Sequence, residues 1–278
     1  MKIGILSDCL GLGFEGGILK AAQMGVNGVQ IYAVEGELAP ENMSRDKRVR
    51  ARELVRSAGL EISALCGDLG YGGFAFAERN PEKIAYTKKI VDLALDLDCR
   101  VVTTHIGVVP GDPAHPRFGV MRDALAQLGE YAERAGARFA IETGPENGPT
   151  LRRLLDAVGS KGVGVNLDPA NLVMCGHDPV EAVEALGSAI VHTHAKDGVM
   201  YKTCDMDVMY GMVDAPEGFD EDEYCAEVPL GEGQVPFDAY IAALRRVGYD
   251  GYLTIEREVG DDPARDIQLA IDFLKKYV

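Results

Sequence analysis

One short unit recurs along the 278-residue chain: an amphipathic helical segment, a glycine, two or three residues, and an apolar run rich in β-branched residues. It is seen in "MGVNGVQIY", "RAGARFAIE", "VGSKGVGVNL" and "VGYDGYLTI". Glycine adopts the left-handed conformation that ends many helices. A short continuous apolar run is typical of a strand buried on both faces of a parallel sheet. Each unit therefore predicts a helix followed by a strand.

The apolar runs give eight predicted strands, with helical segments between them. The predicted strands cover 2–7, 28–33, 61–66, 100–105, 137–142, 163–168, 189–194 and 251–256. Strict alternation with no break in composition predicts an α/β protein with one domain over residues 1–278, a single (β/α)8 TIM barrel. A doubly wound open sheet is the alternative, but the turn "SDCLGLGFEGG" lacks the GxGxxG spacing of a dinucleotide-binding fold.

Three predicted helices open with an Asn-Pro or Asp-Pro pair, at Asn80, Asp178 and Asp262. A short polar side chain caps the free amides of a helix, and proline fits the first helical position because no donor is needed there. We therefore expect all three side chains to cap a helix. The last helix spaces four apolar residues at i, i+3, i+4 and i+7, which predicts one face packed on the barrel.

Two connections are longer than the short loops of this fold require. One is 66–80, which contains the aromatic residues Tyr71, Phe74 and Phe76; these either stack on a sugar ring or, as we expect more often, anchor the loop. The other is an insertion at about 197–235, after the seventh strand, whose central part holds nine acids against one lysine. Long loops in compact domains are usually functional or disordered. The insertion is interpreted as a solvated excursion, a lid, or a contact between copies of the chain in a homo-oligomer.

Composition excludes several classes of partner. The net charge of −16 argues against nucleic acid, whose binding depends on Lys and Arg neutralising phosphates. No apolar stretch is long enough to span a membrane, and the start "MKIGILSD" does not resemble a signal peptide, so we expect a cytoplasmic protein. The six cysteines form no CxxC pair, which favours reduced thiols.

Polar side chains end five consecutive predicted strands. These are His105, Glu142, Asp168, His194 and Glu256. The carboxyl ends of barrel strands converge on one mouth, and unpaired charges are costly in a core. We therefore expect the last four to form one site, although ion pairs that brace the mouth are the alternative. His192 lies on the same strand face as His194 but one layer deeper, as a layer residue or an orienting partner.

Three carboxylates and one imidazole suit a single divalent metal ion, Mn²⁺ or Mg²⁺, with Co²⁺ and Zn²⁺ as further options. A metal with open positions binds the oxygens of a small sugar and polarises its carbonyl group. A base then removes a proton from the neighbouring carbon, and inversion requires a proton donor on the other face.

The motifs "IETGPENG", "NLDPANLVM", "HTHAKDG", "VPLGEGQVPF" and "GYDGYLTIERE" together resemble the xylose isomerase-like barrel superfamily, in its sugar-phosphate isomerase/epimerase branch. The resemblance covers nearly the whole chain. It implies a divalent ion, often Mn²⁺, held by Glu142, Asp168, His194 and Glu256. It also implies that Glu142 and Glu256 are catalytic and exchange a proton with the substrate carbon from opposite faces.

The chain departs from the ketose 3-epimerases of this superfamily at two places. Asn171 stands where they usually have a histidine, and Lys196-Asp197 follows the histidine ligand in place of a Gly-Glu pair. The HxKD form is more similar to the inosose dehydratases. His105, Asn171 and Lys196 are therefore candidate substrate-binding residues; His105 is alternatively a satisfied histidine closing its strand, and Lys196 a loop cap with its neighbour.

Three functions compete on this evidence. The leading hypothesis is a metal-dependent isomerase or epimerase of a small sugar, working by proton transfer. The second is a dehydratase or lyase acting on an inosose or keto-sugar with the same metal and glutamates. The third is a non-catalytic barrel that binds a sugar or a partner. A nuclease, as in the AP endonucleases that share this barrel, is disfavoured by the charge and by Asn171 in place of a histidine ligand.

Overall fold

The eight predicted apolar runs form parallel strands that close into a barrel. A computed structural model describes residues 1–70 and 72–278. In its strand order each barrel strand pairs with its neighbours in sequence, and the last barrel strand pairs with the first. The strands are β1 Lys2–Leu6, β2 Gly28–Tyr32, β3 Glu61–Cys66, β4 Val101–Thr104, β5 Arg138–Glu142, β6 Val163–Leu167, β7 Ile190–Ala195, β8 Asp197–Met200, β9 Cys225–Val228 and β10 Tyr252–Ile255. The predicted (β/α)8 barrel is confirmed, and the open-sheet alternative is excluded by the β1–β10 pairing.

Helices surround the barrel and cover the outer faces of its strands. They are α1 Gly13–Met24, α2 Arg45–Ser57, α3 Asn80–Asp96, α4 Pro116–Ala135, α5 Gly148–Val158, α6 Pro169–Met174, α7 Pro179–Leu186, α8 Met206–Met209, α9 Phe237–Arg246 and α10 Pro263–Leu274. The predicted apolar face of α10 is buried, through Ile267, Ala270, Ile271 and Leu274. Among the described residues, no helix has both the length and the apolar character needed to cross a bilayer.

Two of the three predicted helix caps are present. Asp178 accepts hydrogen bonds from the first amides of α7, and Asp262 accepts one from α10. The prediction for Asn80 is wrong, because α3 begins at Asn80 itself and its Nδ2 donates to the carbonyl of Phe74 at 3.1 Å. The amide thus fastens the 66–80 loop to the helix instead of capping it.

The 66–80 loop folds back on the end of β4. Gly73 has a φ of +56°, and a Cβ there would overlap the backbone of Ile106. The amide of Phe74 donates to the carbonyl of Ile106, and the Phe74 ring packs edge-on against Phe139 at 5.9 Å. Phe74 therefore anchors the loop, as expected; Tyr71 lies outside the described residues.

The acidic insertion carries its own small sheet. Strands β8 and β9 pair antiparallel, from Asp197 opposite Val228 to Met200 opposite Cys225. Helix α8 lies between the two strands in the sequence. Asp207 of α8 forms a bidentate ion pair with Arg117 of α4, which attaches the insertion to that helix. The insertion thus has defined structure at the mouth of the barrel.

Candidate metal centre

Four side chains converge where β5, β6, β7 and β10 end. Glu142 is the last residue of β5, His194 lies near the end of β7, and Asp168 and Glu256 directly follow β6 and β10. One ligand atom from each lies within 4.8 Å of all the others, and the four residues are 0–7% exposed. The structure therefore brings together the four residues expected from the sequence.

His194 is the centre of this group. Its Nδ1 lies 2.8 Å from Glu256 Oε2, 3.2 Å from Asp168 Oδ2 and 3.3 Å from Glu142 Oε1. One ring nitrogen carries at most one proton, so it cannot donate to three carboxylates. On the other side, Nε2 lies 2.9 Å from Gln30 Oε1, an acceptor, and 3.2 Å from Asn166 Nδ2, a donor. The shorter contact favours the tautomer with its proton on Nε2. The Nδ1 lone pair then faces the three carboxylates, as in a metal-binding histidine.

The donor set fits a divalent cation. Glu256 Oε2 is buried and makes no hydrogen bond, so its 2.8 Å approach to His194 Nδ1 lacks hydrogen-bond geometry. With a metal bound and the His194 nitrogen unprotonated, a cation held by both groups would remove the repulsion between the two lone pairs. Three carboxylate oxygens and one imidazole match the preferences of Mn²⁺ and Mg²⁺ more closely than those of a thiolate-bound structural zinc.

The electrostatics of the cluster point the same way. Burial raises the pKa of the Asp168 carboxyl group. Burial opposes the charge on His194, yet the carboxylates of Glu256 and Glu142 raise its pKa well above the usual value. The protein alone therefore gathers negative charge that attracts a cation.

Asn171 lies beside Glu142. Its backbone amide donates to Asp168 Oδ1 at 2.8 Å, so that Asp168 caps α6, and its Nδ2 donates to Glu142 Oε1 at 3.3 Å. The side chain also lines the cavity above the cluster. It is placed to orient Glu142 and to face a bound ligand.

Lys196 is buried in a set of acids. Its Nζ lies 2.8 Å from Glu258, 3.4 Å from Glu227 and 3.5 Å from Glu256. Burial opposes the charge, but these carboxylates raise the pKa of the lysine well above its usual value. The ammonium group therefore stays charged and joins Glu256 to the acidic insertion.

His105 follows β4 and belongs to a second polar pair. Its Nδ1 lies 2.7 Å from Asp68 Oδ2, and its Nε2 lies 3.7 Å from Glu142 Oε1. Burial lowers the pKa of the imidazole, but Glu142 and Asp68 raise it to about 10. His105 is thus hydrogen-bonded to Asp68 and also lines the cavity.

The layer beneath the cluster is polar as well. His192 Nδ1 lies 2.8 Å from Asn166 Oδ1, and Asn166 Nδ2 donates to Glu142 Oε2 at 3.2 Å. His192 therefore acts one step below the cluster, as expected. Arg257 braces the mouth, with ion pairs to Glu227 at 2.7 Å and Asp266 at 2.9 Å.

Sequence reasoning missed four residues that contact the site: Gln30, Asp68, Asn166 and Glu227. Gln30 and Asn166 had a usable signal, because each is a lone amide inside an otherwise apolar strand ("GVQIY", "VGVNL"). Asp68 lies in the loop after β3 and Glu227 on the short strand β9 of the insertion, and the sequence offers no periodicity from which to place either.

A cavity of about 400 Å³ opens above the cluster, a size suited to a small ligand. It is bounded by barrel-strand ends and by residues of the acidic insertion, including Tyr210 and 225–227. The insertion therefore forms one wall of the candidate site.

Comparison with known proteins agrees with this architecture. A family model described as xylose isomerase-like TIM barrel matches residues 18–277. The uncharacterized protein YfiH of Bacillus subtilis is 27% identical, over all of this chain and 99% of that protein. The inosose dehydratase of Lacticaseibacillus casei is 25% identical over 55% of this chain and 51% of that enzyme.

Among solved structures, a xylose isomerase domain protein from Planctomyces limnophilus is 25% identical, with a TM-score of 0.79, over 99% of this chain and 96% of that one. Because the family model spans most of the barrel, the chain belongs to the xylose isomerase-like TIM barrel family.

Proposed function

We propose that the chain is a divalent-metal-dependent sugar isomerase or epimerase, with Glu142, Asp168, His194 and Glu256 as ligands. The observation that carries the proposal is the placement of two buried glutamates within 4.8 Å of one histidine and one aspartate, beneath a ligand-sized cavity. A structural ion-pair cluster needs neither a cavity nor this excess of carboxylates. Mn²⁺ is the favoured ion, and Mg²⁺, Co²⁺ and Zn²⁺ suit the same donors less specifically.

When bound, a divalent cation polarises the carbonyl group of the substrate and acidifies the neighbouring C–H bond. The chain itself supplies the proton transfers. Glu142 ends β5 and Glu256 follows β10, so they stand at the two ends of the four-strand arc that holds the cluster. Glu142 takes the proton from one face of the carbon, and Glu256 returns one to the other face. Asn171 Nδ2, 3.3 Å from Glu142 Oε1, holds the base in orientation.

Chelation and solvent exchange test the reaction. Metal-stripped protein should lose activity on a panel of ketoses and regain it with Mn²⁺. Product formed in deuterium oxide should carry deuterium at the reacting carbon. Glu142→Gln and Glu256→Gln should each abolish exchange, whereas Glu184→Gln, at an exposed ion pair with Arg246, serves as the control. Activity that survives chelation would refute the metal-dependent mechanism. Ligand binding by both site variants with no loss of any measurable function would support a non-catalytic barrel.

A dehydratase acting on an inosose or keto-sugar is the second candidate. Two observations favour it: the similarity to an inosose dehydratase over about half of each chain, and the ammonium group of Lys196 at 3.5 Å from Glu256. The same base would remove the proton next to the carbonyl, and a hydroxyl group on the adjacent carbon would leave with a proton as water. Incubation with 2-keto-inositol and 3-keto-glycosides, followed by detection of an unsaturated ketone, separates elimination from epimerisation.

A further inference from the structure

The loops after the seventh and eighth strands of a (β/α)8 barrel are frequent phosphate-binding sites. In this chain they follow β7 and β10, and they hold two kinds of anion-binding group. One is a set of backbone amides at Gly198 and in 231–235, and the other is the cationic pair Lys196 and Arg257. Both sets already have carboxylate partners from the chain itself.

Asp197 occupies the amide set. Its Oδ1 accepts from the amides of Gly198 at 2.9 Å and Val235 at 3.1 Å, and its Oδ2 from those of Gly231 at 2.9 Å and Gly233 at 3.0 Å. Asp197 is 1% exposed, and a Cβ at 233 would overlap its carboxylate. Converging backbone amides form an anion-binding nest, and here the anion is an internal side chain.

Glu227 occupies the cationic pair. Its Oε1 accepts from Arg257 Nη1 at 2.7 Å and from the amide of Glu258 at 3.1 Å, and its Oε2 lies 3.4 Å from Lys196 Nζ. Arg257 Nε donates to Asp266 Oδ2 at 2.9 Å. A substrate phosphate would therefore have to displace buried carboxylates to reach either cation.

The cavity wall also contains more carboxylates than cationic side chains. Lys196 is the one lysine or arginine among the described residues that line it. Seven carboxylates line it as well: Asp68, Glu142, Glu221, Asp222, Glu227, Glu256 and Glu258. The negative charges of these carboxylates outnumber the positive charges of the cavity wall even with a divalent cation bound. A dianionic phosphate inside the cavity would therefore be repelled.

We propose that this site acts on uncharged polyhydroxy ketones and rejects their phosphate esters, because Glu227 already pairs with the cations that would bind a phosphate and six further carboxylates line the cavity. Asp197, next to Lys196 in the chain, fills the amide set in the same way. The inference rests on the proposed function for the carbonyl substrate and adds the substrate's charge class. It assigns a specificity role to two residues of the acidic insertion that contribute no ligand to the cluster.

Calorimetric titration of the Mn²⁺-loaded protein tests the charge class without turnover. The probes are D-fructose, D-xylulose and 2-keto-inositol, with D-fructose 6-phosphate and D-xylulose 5-phosphate as charged counterparts. We expect each ester to bind at least about tenfold more weakly than its parent, because its phosphate meets carboxylates that no cation balances; tenfold corresponds to about 1.4 kcal/mol. An ester that binds more tightly than its parent, or failure of every uncharged ketone to bind, would overturn the inference. An uncharged ketone that binds but shows no solvent-deuterium exchange supports it and counts against the proposed reaction.

Two variants test the assigned residues directly, with inorganic phosphate as probe and metal-free protein to exclude binding to the ion. Asp197→Ala frees four amides, and Glu227→Gln removes the carboxylate that Arg257 and Lys196 share, leaving them their remaining partners Asp266 and Glu258. Each should bind phosphate at least about tenfold more tightly than the wild type, while Glu184→Gln, with the same loss of charge at an exposed site, should not. If Asp197→Ala does not fold, Glu227→Gln decides alone. Wild-type binding as tight as in the variants, or no gain in a folded variant, refutes the role of these carboxylates.

Discussion

Replacement of Asp168 by asparagine distinguishes a metal site from a cluster of structural ion pairs. The Asp168 ligand atom lies within 4.8 Å of those of Glu142 and Glu256. Two negative charges at this distance repel each other by about 3.5 kcal/mol at an effective dielectric constant of about 20. Attraction to a protonated His194 at 3.2 Å offsets about 5 kcal/mol. Lys196 adds to this attraction, and burial opposes the charge of the carboxyl group. In the metal-free protein, repulsion from the two glutamates together with burial therefore exceeds the attraction to His194 and Lys196, by about 2 kcal/mol.

The asparagine keeps the packing of the site. Its Oδ1 can still accept the hydrogen bond from the Asn171 amide that caps α6, which is 2.8 Å long in the wild type. We therefore expect metal-free Asp168→Asn to have a Tm about 4 °C higher than the metal-free wild type. Because one charged ligand is lost, Mn²⁺ affinity should fall by about 100-fold, and the stabilisation by Mn²⁺ should disappear.

Thermal unfolding of chelated and Mn²⁺-loaded samples measures both effects, and Mn²⁺ titration gives the affinity. Asp178→Asn, at the cap of α7 and outside the cluster, is the matched control and should respond to Mn²⁺ as the wild type does. A variant that is equally destabilised with and without Mn²⁺, at unchanged Mn²⁺ affinity, would show that the carboxylates are structural and refute the reasoning.

Three further predictions concern the surroundings of the site. The pKa of His105, which burial lowers but neighbouring carboxylates raise to about 10, keeps a proton on the folded protein that the unfolded chain releases above about pH 6.5. The stability of the metal-free protein should therefore fall between about pH 6.5 and 10, and urea unfolding of His105→Gln should lack this part of the slope. Gln30→Leu removes the acceptor of His194 Nε2 and should lower Mn²⁺ affinity about tenfold in equilibrium dialysis; an unchanged affinity would contradict the assigned tautomer. Asp207→Asn breaks the bidentate pair with Arg117, so amide exchange in 206–213 should become faster while global stability changes by less than about 1 kcal/mol, a pattern that uniform exchange rates would exclude.

The barrel and its four clustered residues could be predicted because the signals are local. Each strand is a short apolar run, and the last five end in a polar residue. No end of a predicted strand differs from the observed end by more than one residue. Parallel strands present their carboxyl ends to the same mouth. Side chains at 142, 168, 194 and 256 therefore meet whatever the loops between them do.

The cap predicted at Asn80 fails for the opposite reason. An Asn-Pro pair is compatible with a cap, but the Asn80 amide bonds instead to Phe74, in a loop whose path depends on its contact with Ile106. That contact joins residues on different strand ends. A sequence pattern over a few neighbouring residues therefore could not predict it.

What the sequence by itself determined is the alternation of strands and helices, and with it the gathering of two glutamates, one aspartate and one histidine at one end of a barrel. Only the tertiary structure decided which groups surround them: Gln30 against His194 from 164 positions away, Asp68 against His105, and Asp197 inside its ring of amides. The physical reason is that strand formation follows from residue periodicity within a few positions. The hydrogen-bond partners of a buried polar group depend on how distant loops and strands pack together. Residues far apart in the sequence become neighbours only in the folded structure.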